Sequence, residues 1–72
     1  MPRFYILRHR TFGETFFAGF KAGTSVGVFR PVFVKPAKGQ PIQVNVIHED
    51  DIAETEADLA KYDIETDRVQ VG

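Results

Sequence analysis

The chain has 72 residues, no cysteine, 43% hydrophobic residues and a formal net charge of -1. That size fits one small domain over residues 1–72 and leaves little room for a deep catalytic pocket, so a non-enzymatic binding module is expected. The missing cysteine excludes disulfides, thiol catalysis and a zinc finger and suits a cytoplasmic address, while no apolar run approaches the roughly 20 residues that cross a bilayer.

Phe4-Tyr5-Ile6-Leu7 is a continuous apolar, β-prone run between arginines. It reads as an interior strand with both faces at least partly covered. Residues 11–23 support two readings. Phe12, Phe16 and Phe20 fall at i, i+4 and i+8, Thr11 and Glu14 have capping-box spacing, and Gly23 suits a C-terminal cap. These favour a helix over about 12–22. Gly13 and Gly19 oppose it, each costing about 1 kcal/mol in a helix interior. A hairpin turning near Gly13 or Gly19 is the alternative.

Residues 26–34 are strongly β-prone, with Val26, Val28, Val32 and Val34 on one face and Phe29, Pro31 and Phe33 on the other. Proline has no N–H for the ladder, so this strand is an edge, is bulged, or breaks at Pro31. Residues 35–41 read as a loop from their proline and glycine content. Ile42-Gln43-Val44-Asn45-Val46 alternates like a strand with one wet face. Asp51 and Glu54 have capping-box spacing for a helix over about 51–62. Ile52, Thr55, Leu59 and Tyr62 are its expected buried stripe, widened by Ala53, Ala57 and Ala60. Val69 and Val71 mark a short last strand. The whole reads as a small α+β domain with a four- to five-stranded, mainly antiparallel sheet. A ferredoxin-like order is favoured; if residues 11–23 are strands, a five-stranded curved sheet or small barrel with one helix replaces it.

The near-neutral charge is a cancellation. Residues 1–38 carry Arg3, Arg8, Arg10, Lys21, Arg30, Lys35 and Lys38 against Glu14, a balance of +6. Residues 39–72 carry Lys61 and Arg68 against nine acids, a balance of -7. Such a split suggests charged partners. In the basic half, cations interleave with aromatic rings, and all seven phenylalanines precede residue 34. Cations neutralise phosphates and rings stack on bases, although in a chain without tryptophan most phenylalanines are expected in the core. Arg3, Arg8, Arg10, Lys35 and Lys38 are therefore the expected nucleic-acid or polyanion-binding set. Asp50, Glu54 and Asp58 repeat at i, i+4 and are the expected contacts for a basic partner; otherwise they form a solvated helix face.

Sites of other kinds find little support. His48 with Glu49, Asp50 and Asp51 supplies ligand types but lacks a second histidine at helical spacing. Gly19–Ser25 lacks the Walker spacing. No catalytic grouping, metal or cofactor is expected. An RNA-recognition motif needs aromatics on its third strand, and Ile42–Ile47 has none.

Two local resemblances remain. Val28–Val34 resembles a strand of oligonucleotide-binding barrels. Phe4–Leu7, together with Gly27-Val28, Phe33-Val34 and the following proline-rich loop, resembles segments of the NusG-type N-terminal domain, whose longer middle has no counterpart here. The second resemblance implies RNA polymerase as a partner.

The leading expectation is a small accessory or regulatory protein, of a kind phages encode. Its basic half would dock on nucleic acid or on a nucleic-acid-handling complex such as RNA polymerase. The alternative is an assembly subunit that self-associates, or binds a basic protein through its acidic helix.

Overall fold

A computed structural model describes residues 1–24, 26–39 and 43–72. The elements are β1 (Phe4–His9), β2 (Phe16–Ala22), β3 (Phe29–Val34), β4 (Ile47–His48), α1 (Ile52–Ala60) and β5 (Thr66–Gln70). They form a five-stranded antiparallel sheet with one helix.

The apolar run at the start becomes the central strand. On one edge, β1 pairs with β5 from Tyr5↔Gln70 to His9↔Thr66. Its other edge is shared: β4 pairs at Phe4↔His48 and Tyr5↔Ile47, and β2 at Arg8↔Phe16. β3 lies outside β2, as the proline in it requires. Between Phe17 and Phe20 the β2–β3 register shifts by one residue, and Gly19 sits there with φ +108°. Only glycine adopts that conformation at little cost. The Asn45 N–H donates to the Phe17 carbonyl at 2.9 Å, just before this bulge.

Residues 11–23 thus take the hairpin alternative. No helix forms over 12–22, and the ferredoxin-like order does not arise. The i, i+4, i+8 phenylalanines have separate fates: Phe12 is exposed in the turn, Phe16 is half-buried and Phe20 is partly exposed. Phe17 is the ring that is fully buried, because the strand period places it opposite Phe33 against the helix. The turn is held by His9, whose Nδ1 accepts from the backbone N–H groups of Thr11 (3.1 Å) and Phe12 (3.2 Å).

The clean alternation at residues 42–46 does not make a strand either. Gln43–Val46 is irregular and the ladder begins at Ile47; Ile42 lies outside the described residues. The free stretch of β1's edge left by β2 holds only two rungs. The helix spans Ile52–Ala60, inside its expected bounds. Asp51 is its N-cap, but φ -106° and ψ -10° leave its side chain without a cap hydrogen bond, so no capping box forms with Glu54.

The core consists of Leu7, Phe17, Ile47, Ile52 and Leu59, with Tyr5, Phe33 and Ile64 packed against it. Of the expected stripe, Ile52 and Leu59 are buried and Thr55 is half-buried, but Tyr62 lies past the helix and is exposed, and Ala53, Ala57 and Ala60 face solvent. One helix of nine residues covers one face of the sheet. Leu7 lies on that face, so the alternation of β1 puts Phe4, Ile6 and Arg8 on the other. No helix among the described residues is long and apolar enough to cross a membrane.

Candidate binding surface

Strand pairing decides which charges stay free. β5 brings the acidic half of the chain against the basic β1. Arg8 approaches Asp67 at 3.7 Å, and Arg10 reaches Glu65 at 2.9 Å and Asp67 at 3.1 Å. The hydrogen bond from Arg10 to Asp67, reinforced by both carboxylates, raises the Arg10 pKa above its ordinary value. Lys35 bonds Glu14 at 2.8 Å; the shared hydrogen bond raises the lysine's pKa and lowers the carboxylate's. Three of the five expected polyanion contacts are therefore already paired. Arg3 and Lys38 are exposed, with no ion pair among the described residues.

The acidic set divides in the same way. Asp58 meets Lys61 at 3.4 Å, while Glu54 is exposed and has no ion pair among the described residues. Asp50 lies beside His48, whose Nδ1 accepts the Asp50 N–H at 3.0 Å. On the inner face, Arg68 grips Glu56 through Nε at 3.0 Å and a shorter second bond at 2.6 Å. That hydrogen bond raises the Arg68 pKa, and the guanidinium also sits 5.8 Å from the Tyr5 ring centroid. No three metal-ligating side chains converge among the described residues.

Two features were absent from the expected set. Lys21 and Arg30 are direct cross-strand partners on the β2–β3 ribbon. Both are exposed and neither has an ion pair among the described residues. Like charges directly opposite repel. No acid occurs from Thr15 to His48, so the ribbon carries nothing to neutralise them. Alternation with Phe20 and Phe29, whose rings lie on the helix side, turns Lys21 and Arg30 to the outer face, with Arg8. The sequence signal was the acid-free stretch itself, which a hairpin reading turns into a juxtaposed pair.

The second feature is aromatic. A cleft of about 320 Å³ opens between the ribbon and the C-terminal end of α1, lined by Phe20, Phe29, Asp58, Lys61 and Tyr62. The three rings are 40%, 55% and 45% exposed respectively. Tyr62 donates its hydroxyl to the Phe29 carbonyl at 2.8 Å, and its ring centroid lies 6.2 Å from that of Phe20. The expectation that most phenylalanines are core therefore fails here, as the ribbon extends past the end of the helix that would cover them. A radius of gyration of 12.5 Å exceeds the about 11 Å of a compact chain this long, in keeping with a projecting ribbon.

No family model, curated protein or solved structure matches this chain.

Proposed function

We propose that the protein is a small non-enzymatic binding module that docks on nucleic acid, alone or within a nucleic-acid-handling complex, through its β2–β3 ribbon. The observation that carries this reading is the exposed Lys21/Arg30 pair, held side by side with no neutralising acid. A fold that tolerates such repulsion gains from it when a polyanion lies across the pair. Lys38 and Arg3 add further free cations. Binding of a labelled oligonucleotide, followed by anisotropy across salt, tests the reading. Affinity should fall steeply as salt rises. Lys21→Ala/Arg30→Ala should weaken binding and flatten the salt slope; no binding at low salt sinks the reading.

A second reading rests on the acidic helix. Glu54 has no ion pair among the described residues and sits one turn from both Asp50 and Asp58. A basic protein surface, or the ribbon of a second copy, is the partner that this charge fits. Light scattering at low and high salt checks self-association: a monomer at every salt and concentration removes it.

A further inference from the structure

We infer that the cleft between the β2–β3 ribbon and the end of α1 receives an unpaired base of a single strand, stacked on Phe29. This deepens the reading of the ribbon as a nucleic-acid surface and rests on it. The geometry supplies three elements that a single strand needs. The first is a ring with a free face: Phe29 is the most exposed of the three cleft aromatics, and the Tyr62 hydroxyl pins its carbonyl. The second is positive charge beside that ring. Lys61 lines the cleft, while Arg30, next to Phe29 in β3, and its partner Lys21 point to the other face of the same ribbon. β3 is the outer strand beside β2, so a single strand with a base in the cleft carries its backbone round that edge towards Arg30 and Lys21.

The third element is one hydrogen-bond acceptor. Asp58 is the single acid lining the cleft, and its Lys61 contact, at 3.4 Å, is loose. An exposed carboxylate there accepts from the exocyclic amine of cytosine or adenine and finds no donor of that kind on thymine. The rings of a duplex are stacked on each other and cannot enter such a cleft. The cleft therefore suits a single strand and prefers amine-bearing bases.

The test compares oligo-dC, oligo-dT and a mixed duplex of equal length, using the full chain. Oligo-dC should bind more tightly than either of the others. Phe29→Ala should weaken oligo-dC binding by about 5- to 150-fold, the range for loss of one stacked base, without changing the salt slope. Phe29→Trp should restore it, and a strand carrying 2-aminopurine should lose fluorescence on binding wild type and much less on binding Phe29→Ala. Thermal melting shows whether each variant is folded; Phe29 is exposed enough for its replacement to leave the core intact. Equal affinity for duplex and single strand, or wild-type affinity in folded Phe29→Ala, overturns the base cleft but leaves the ribbon reading standing. No binding of any strand at low salt overturns both.

Discussion

His9 shows how one side chain organises a turn that propensity alone leaves open. Its Nδ1 accepts two backbone N–H groups, and its ring lies between Phe12, at 5.0 Å, and Phe33, at 4.9 Å. His9→Ala removes the acceptor and the packing together. It should cost about 1–3 kcal/mol, the usual penalty when hydrogen-bonding groups lose their partner, read as a shift in the denaturation midpoint. A change below about 0.3 kcal/mol, within the ordinary spread of surface substitutions, would mean the turn holds without it. Leu7 sits at the other extreme. It is fully buried in a core of five residues, and Leu7→Ala should cost about 2–5 kcal/mol. A domain this small has few kcal/mol to lose, so circular dichroism of that variant should show a largely unfolded chain at ambient temperature.

At the scale of elements, the end of α1 gives a sharper test than its start. Asp63 follows the helix with φ 59°, and the Ile64 N–H reaches back to the Leu59 carbonyl at 3.2 Å. This is a left-handed helix terminus, where glycine is the usual occupant. Asp63→Gly relieves the strain of an L residue there and should raise stability by up to about 1 kcal/mol. At the start, Asp51 makes no side-chain cap, so Asp51→Ala should cost less than the ~1 kcal/mol of a bonded N-cap. Much of this architecture was legible in the sequence: the central apolar strand, the edge strand with its proline, and the helix with Ile52 and Leu59 inward. Residues 11–23 were not. Three phenylalanines at helical spacing compete with two glycines locally, and the decision comes from the sheet, which needs a partner for β3 and a buried Phe17. The alternation at 42–46 misled for a related reason: a strand needs an open edge, and only two rungs of β1 remain free beside β2. The free cations were hidden too, since neutralisation is set by which strands become neighbours.

For the molecule as a whole, the two charged halves meet along one seam and part along another. Antiparallel pairing of β1 with β5 spends Arg8 and Arg10 on Asp67 and Glu65, while the β2–β3 ribbon, remote from β5 in strand order, keeps Lys21 and Arg30 free. The Glu14–Lys35 pair ties the turn after β1 to the end of β3. Its contribution has a defined pH window. The Glu14 pKa is lowered in the folded chain, so the stability it adds is complete above the unfolded carboxylate range and is lost as pH falls through the folded value; the raised Lys35 pKa preserves its share until pH rises through the folded lysine value. Glu14→Gln should therefore be less stable than wild type at neutral pH and match it in strong acid. Both groups are exposed, so high salt should shrink the neutral-pH gap as well. The seam and the ribbon then make opposite predictions for their arginines. Arg10→Ala breaks the contacts to β5 and should lower the melting temperature while leaving oligonucleotide affinity within about threefold of wild type, since a paired surface charge adds little to binding. Lys21→Glu/Arg30→Glu should leave the melting temperature unchanged or higher, because like-charge repulsion there is not increased, and should abolish binding at any salt. A reversed pattern, with affinity lost on Arg10→Ala and kept on the ribbon double variant, would move the binding surface from the ribbon to the β1–β5 seam.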